Sequence, residues 1–440
     1  MRMKIFDAEE LSIKQTLNQL NNFIGGSIIA SLNKLIQFTD EPYFYGYQAE
    51  INDFKKYSDA PSDNDTATGL SLDENIAKIK SLSEAIERFC LSLYRKKNLK
   101  RASFLELKNK AIDPILFLKF PESQFKISRE KILKKLHNYP FYWTKVSSIE
   151  RNKQIYIPAQ LVYVPYHLDS IVIQNPISTG AAAGSSYSAA IYRGICEVVE
   201  RDSFMITYLS KNSAPKIDTK SIKNKKIKNL LKYYERYFLE LHLFDITTDV
   251  NIPTVLSIII DRTGIGPAVC VGTKSDLNYE KAILDSIEEA QKVRNWMRCL
   301  MIINPVRFNK LKNNPSEIKS MADRGLFWAH KENIKKINFL LNSKNKTKVR
   351  NTKCPNKIIT KLKIIIKLMQ KAGMSIYIKN LTPKNPSTKP FKIVKVIIPE
   401  AHPLFLSEKL PYFWSERLFK TLTSLKNKNL KINKFPHPFV

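Results

Sequence analysis

The chain has 440 residues, with 72 Lys and Arg against 40 Asp and Glu and a formal charge of +32. Hydrophobic residues make up 43% and aromatics 10%, which excludes a wholly disordered chain, and only 12 Gly and 22 Pro exclude collagen-like or low-complexity architectures. The charge points first to an anionic partner, but residues 301–440 hold 30 Lys and Arg against 6 Asp and Glu, so most of the excess sits in the last third.

That third mixes Lys with Asn and Ile, as AT-rich codons do without any functional demand. It lacks aromatic–basic interleaving, zinc-finger spacing and a basic heptad array, so no dedicated nucleic-acid surface is expected. The N-terminus lacks the apolar core of a signal peptide, and no apolar run is long enough for a membrane span. The five cysteines, Cys90, Cys196, Cys270, Cys299 and Cys354, form no C-x-x-C pair and read as small core residues. A reducing, cytoplasmic setting without membrane contact is the expectation.

In chain order, residues 1–59 read as a variable N-terminal segment with a weak helical pattern over 11–35. A polar, turn-rich loop follows at 61–66, then a helix over 72–94. Alternation predicts a strand over 155–165, limited by its prolines. A glycine-bearing loop at 180–184 leads into a helix over 188–209. Strands are expected at 239–247, 253–261 and 268–273, and a long helix at 279–297. The basic third predicts a helix over 357–372, strands at 375–379 and 391–398, and a last helix over 416–425. Intermixed strands and helices give an α+β or α/β class.

Three of these helices share a pattern. Ala77, Ala190 and Ala282 each precede a glutamate by seven residues, namely Glu84, Glu197 and Glu289. A glycine stands shortly before each helix: Gly69, Gly184 and Gly272. Ser81-Leu-Ser-Glu84-Ala-Ile-Glu87-Arg88 parallels Gly194-Ile-Cys-Glu197-Val-Val-Glu200-Arg201, and the third helix gives a relaxed version ending at Arg294. Residues three apart share a helix face, so Glu84 with Glu87 and Glu197 with Glu200 each present two carboxylates together. Their neighbours Ile86, Phe89, Val198 and Val199 are apolar, which argues against a freely solvated face. Gathered carboxylates repel unless a cation neutralises them, and hard oxygen ligands suit Mg²⁺ held jointly with phosphates. Arg88, Arg201 and Arg294 would supply forks for those phosphates. A single E-x-x-E-R is an ordinary solvated helix face; the repetition behind glycines is what carries the functional reading.

These residues resemble the YcaO superfamily. The resemblance runs from about residue 60 to the end, through Ser81-x-x-Glu84-x-x-Glu87-Arg88, the segment 175–184, Glu197-x-x-Glu200-Arg201-Asp202, Gly272, and residues 282–294. It continues in Ala372-Gly-Met-Ser-Ile-Tyr-Ile-Lys-Asn380 and the strand at 394–399. Three departures stand out: Gly69-Leu-Ser71 replaces the usual Gly-Lys-Gly, Asn380 the usual Asp, and Lys292 a common Gln. The resemblance implies a YcaO-like α+β fold over 60–440 with acidic helices lining an ATP and Mg²⁺ site. It assigns cofactor contacts to Ser81, Glu84, Glu87, Arg88, Glu197, Glu200, Arg201, Glu289 and Arg294, with Glu84, Glu87, Glu197 and Glu200 on the metal.

It also implies an activity. In the best-known branch a Cys, Ser or Thr side chain attacks the preceding amide, the tetrahedral oxygen is phosphorylated, and phosphate leaves to give a thiazoline or oxazoline. Azoline-forming members often end in a P-x-P-x-P tail. This chain ends Phe435-Pro436-His437-Pro438-Phe439-Val440, so Pro436, His437 and Pro438 are the catalytic candidates, with His437 a candidate for proton transfer. The first 60 residues are too short for a leader-binding domain. The implied partners are therefore a precursor peptide, a ubiquitin-activating-like leader-binding protein and a flavin dehydrogenase, with a homodimer left open. Thioamide or amidine formation by the same activation is the second enzyme reading, and a basic nucleic-acid-binding scaffold the non-enzymatic one.

Overall fold

The computed structural model describes residues 5–61, 66–121, 124, 128–350, 354–383, 391–424 and 431–440. The centre of the 61–66 loop, residues 351–353 of the basic stretch and residue 425 of the expected last helix lie outside them. The fold is α+β, as expected, and is organised around three strand–helix units. The first joins strand Thr66–Ser71 to helix Glu74–Leu91, the second strand Ala181–Gly184 to helix Tyr187–Leu209, and the third strand Val269–Ser275 to helix Tyr279–Ile303.

Sequence chemistry starts and seats each helix. The Asp73, Ser186 and Asn278 side chains cap the N-termini by accepting from Ile76, Ala189 and Lys281 N–H groups. The residue three before each shared glutamate is small and buried: Ser81, Gly194 and Ser286. The preceding glycine then lets strand and helix backbones meet. A Cβ on Gly69 would fall 2.2 Å from Ala77 O, and one on Gly272 2.2 Å from Ala290 N. Gly69→Ala should therefore force the first helix off its strand and cost about 3 kcal/mol or more, which a thermal melt reads directly. An unshifted melting temperature would contradict this close packing.

The units lean on one another in a closed ring. The first helix packs on its own strand and also on Ala181–Gly184; the second also packs on Val269–Ser275; the third also packs on Thr66–Ser71. A glutamate makes each of these crossings. Glu87 accepts from Ala183 N at 2.6 Å, Glu200 from the Thr273 hydroxyl at 2.9 Å, and Glu288 from the Ser71 hydroxyl at 2.8 Å.

Three sheets carry the ring. Strand Ile29–Lys34 pairs antiparallel with Tyr45–Ile51, which pairs antiparallel in turn with Thr66–Ser71. Residues before 60, read from sequence as a variable segment, thus supply two strands of the first unit's sheet. The weak helical pattern over 11–35 resolves into helix Ile13–Asn21 and a strand. Val269–Ser275 is the edge of a five-stranded sheet, paired with Thr254–Asp261, whose other neighbour is Leu239–Asp245. Strand Lys392–Ile397 lies between Tyr377–Asn380 and Ala181–Gly184 in a six-stranded one. The expected strand at 155–165 is shorter, Lys153–Pro158, because Pro158 removes the next ladder donor and a 3-10 turn follows.

The basic helix Ile358–Lys371 buries Leu362, Ile365, Ile366 and Met369 in a core shared with the second helix and turns Lys363, Lys367 and Lys371 to solvent. No helix among the described residues is long and apolar enough to cross a membrane.

Candidate functional site

The closed ring brings the acidic faces of all three helices together. On the first helix, Glu84 pairs with Arg88 at 2.7 Å, and Arg88 also donates to Thr66 O at 2.8 Å. On the second, Arg201 pairs with Glu200 through one nitrogen and stands 3.7 Å from Glu197 through another. Glu197 accepts from Gly180 N at 3.1 Å. On the third, Lys292 holds Glu289 at 2.7 Å.

Crowding shows in the proton affinities. Burial, then the neighbouring Glu197 and Glu84 charges, push Glu87 well above the ordinary carboxylate range. Burial raises Glu197 as well, with Glu200 adding to it and Arg201 opposing. Glu289 goes the other way: against the effect of its burial, Lys292, Lys274 and Lys80 hold it at about 2. Lys274 is the hub on the basic side, 3.9 Å from Glu200 and attracted also by Glu289 and Asp285. Lys80 bridges from the first helix to Glu288 of the third at 2.5 Å.

Among the described residues, no three His, Cys, Asp or Glu side chains gather closely enough to hold a metal ion. Glu84, Glu87, Glu197 and Glu200 thus line one site without forming a closed cage, since arginines and lysines stand between them. That arrangement fits Mg²⁺ bound with a nucleotide, because Mg²⁺ takes one or two carboxylates and fills its remaining positions with phosphate oxygens and water. Glu200 is 2% exposed, its Oε1 engaged by Arg201 and Thr273, and its Oε2 has no hydrogen-bond partner. Arg88, Arg201, Lys274 and Lys292 would be the groups to hold the phosphates of such a nucleotide.

Two expected contacts lie elsewhere. Arg294 is 2% exposed and spends its guanidinium on Asp261 at 2.8 Å, Glu41 at 3.1 Å and Pro267 O at 3.0 Å. None of these partners belongs to the carboxylate cluster, so Arg294 braces the turn behind the third helix. Ser81 donates to Ala67 O at 3.1 Å and seats the first helix on its strand. Lys274, Lys80 and Glu288 escaped the sequence reading. For Lys274 a signal existed: it stands two residues past Gly272, on the same strand face.

The C-terminal tail packs along the second helix as far as Arg201. The Tyr208 hydroxyl donates to Pro436 O at 2.9 Å, and Asn433 N donates to Leu209 O at 2.8 Å, binding the tail to the second helix. The Phe439 ring then lies under the Arg201 guanidinium, 4.3 Å from ring centroid to Cζ. His437 differs from its sequence expectation. Its Nε2–H donates to Phe405 O at 2.8 Å, its Nδ1 accepts from Phe439 N at 3.3 Å, and its ring lies edge-on to Phe204 and Phe405. Burial drives its pKa well below the usual range, so it stays neutral. With both nitrogens engaged, His437 anchors the tail and has none left for proton transfer.

Beside the cluster lies a small cleft of about 70 Å³, part of it open to solvent. Arg201 lines it, as does Lys395 of strand Lys392–Ile397, whose burial pulls it down to about 7 against the attraction of Glu197.

The family comparison agrees with this architecture. The model of the family described as YcaO cyclodehydratase, ATP- and Mg²⁺-binding, matches residues 68–402, and the chain belongs to that family. Three solved structures share the fold. A heterocyclase in complex with substrate and cofactor superposes with a TM-score of 0.78 at 21% identity, covering 100% of this chain and 59% of that one. YcaO from Methanopyrus kandleri bound with AMPPCP and Mg²⁺ gives 0.63 at 15% identity, covering 89% and 91%. The E. coli microcin synthetase McbBCD complex with pro-MccB17 bound gives 0.59 at 14%, covering 84% and 88%. By sequence, the chain matches 40% and 39% of the lengths of two curated relatives.

Proposed function

We propose that this chain is an ATP-dependent peptide cyclodehydratase that turns Cys, Ser or Thr of a ribosomal precursor into thiazoline or oxazoline. The observation that carries the reading is the carboxylate ring itself, with Glu200 Oε2 left open and five cations around it. Glu84, Glu87, Glu197 and Glu200 face Mg²⁺; Arg88, Arg201, Lys274 and Lys292 face phosphates, with Glu289 orienting Lys292. ATP supplies the phosphoryl group that makes an amide oxygen able to leave. The chain's own contribution is to hold the reacting groups together, keep water out and place positive charge where the oxygen becomes anionic.

Pro436, His437 and Pro438 set the path of the tail so that Phe439 fixes Arg201 at the meeting of nucleotide and peptide. The catalytic unit extends over 60–440 and uses the strands at 29–51 as its outer wall. A precursor peptide, a ubiquitin-activating-like leader-binding protein and a flavin dehydrogenase are the proposed partners, in the cytoplasm.

Mass spectrometry tests this: ATP, Mg²⁺, precursor and leader-binding partner should give loss of one water per modified residue. Replacement of oxygen by sulfur would instead assign the thioamide branch, and an unchanged mass would reject both.

Proton linkage gives a second check. Glu87 and Glu197 have raised pKa values, so they hold protons at pH values where ordinary carboxylates do not, and Mg²⁺ needs them ionised. Binding of Mg²⁺ with AMPPCP should release protons and tighten as pH rises above the ordinary carboxylate range. Calorimetry in buffers of different ionisation enthalpy measures this, and proton uptake would contradict it.

A further inference from the structure

The cleft beside the cluster differs from it in chemistry. Its lining carries two cations, Arg201 and Lys395, and neutral polar side chains such as Asn175, Thr179 and His402, but no carboxylate. A metal-bound triphosphate belongs on the acidic side; the cleft suits a neutral polar chain that becomes anionic during reaction. The cleft is small, about 70 Å³, which is too little for a nucleotide, and Ile177 and Val198 are among its apolar walls.

Two features fix the orientation. Arg201 faces both compartments, since it pairs with Glu200, stands 3.7 Å from Glu197 and lines the cleft. Lys395 is 3% exposed, and its Nζ donates to Ile177 O at 2.5 Å, which engages one of its three donor positions. Two further half-buried lining groups, the Asn175 carboxamide and the Thr179 hydroxyl, make no hydrogen bond among the described residues. A peptide backbone offers the N–H and C=O groups that such side chains pair with.

We propose that this cleft receives the peptide bond to be modified, with Lys395 Nζ and the Arg201 guanidinium donating to its carbonyl oxygen and Asn175 and Thr179 holding the flanking backbone. The assignment rests on the cyclodehydratase reading. When the side-chain nucleophile, its proton given up to water, bonds to the carbonyl carbon, the C=O π pair moves onto the oxygen. That oxygen then carries its charge between the two cations, and Arg201 holds it on the side of the cleft that borders the carboxylates.

Two measurements on the full chain test this, both with the synthetic peptide acetyl-Gly-Gly-Cys-Gly-Gly-amide as probe. In trace acetylation read by mass spectrometry, the peptide at millimolar concentration should slow labelling of Lys395 several-fold relative to surface lysines, whereas AMPPCP with Mg²⁺ should not. Unchanged labelling with the peptide would overturn the proposal. Shielding by AMPPCP with Mg²⁺ alone would also overturn it, by giving the cleft to the nucleotide. In the second measurement, Lys395→Met should keep AMPPCP binding and thermal stability but slow ATP-dependent water loss from the peptide by about 10²-fold or more, with Lys395→Arg intermediate. A variant as fast as the parent would refute the role of Lys395. If the parent loses no water while the peptide still shields Lys395, the cyclodehydratase reading fails and the peptide site stands.

Discussion

Glu200→Gln should lower ATP turnover by about 10²-fold or more while the apo protein melts close to the parent temperature. The two effects separate because the two carboxylate oxygens have different jobs. Oε1 accepts from Thr273 and Arg201, and a carboxamide oxygen can take its place with the same partners. Oε2 has no hydrogen-bond partner, with Lys274 Nζ 3.9 Å away, and on the proposed function it is the oxygen a metal would take, which an amide nitrogen cannot replace. Loss of one negative charge beside Glu197 also relieves like-charge repulsion, so the apo fold loses little. ATPase assay and thermal melt on the same sample measure both. Full turnover in this variant would remove Glu200 from the site.

Removal of residues 436–440 should abolish peptide modification and also destabilise the chain by about 3–5 kcal/mol, as deletion of a buried aromatic does. The structure makes the tail part of the core. His437 is 0% exposed among Phe204, Tyr208 and Phe405, and Arg324, also 0% exposed, donates to Phe439 O at 3.3 Å. Truncation therefore leaves a buried guanidinium with one acceptor fewer and opens an aromatic pocket. Phe439→Leu is the sharper variant. It keeps the anchor at His437 and removes the ring under Arg201, a contact worth about 1–2 kcal/mol, while leucine still fills much of the space beside Phe204, whose ring centroid lies 5.1 Å from that of Phe439. It should slow modification with a small change in melting temperature; a rate equal to the parent would mean that the tail acts through stability alone.

Much of this site was legible in the sequence, and the reason is geometric. A glutamate repeated behind a strand glycine encodes both the close strand–helix packing, as at Gly69 and Gly272, and the face that helix turns inward. The helices over 74–91, 187–209 and 279–303 follow from caps and periodicity that act locally. What stayed hidden depends on contacts between distant segments. Nothing local in Tyr45–Ile51 shows that it completes the sheet of Thr66–Ser71. Arg294 has the spacing of a phosphate ligand, yet Glu41 and Asp261, both far in sequence, claim its guanidinium. His437 looked free between two prolines because Phe405 and Phe204, which bury it, are remote in the chain. Lys395 reads as one more lysine of a basic third; only the fold turns it toward the neighbourhood of Glu197, while Lys363 and Lys367 face solvent.

The charge of +32 accordingly says less about function than its exceptions do. The groups that define the site are carboxylates held against a smaller set of lysines and arginines inside the ring.

The most direct test of that account follows the amide oxygen. A precursor whose reacting carbonyl carries the heavy oxygen isotope is incubated with the chain, its leader-binding partner, ATP and Mg²⁺, and the released phosphate is analysed by mass. Activation of the amide by phosphorylation predicts that the label appears in the phosphate, one label per ring formed. Unlabelled phosphate, with the label in water or retained in the peptide, would contradict it.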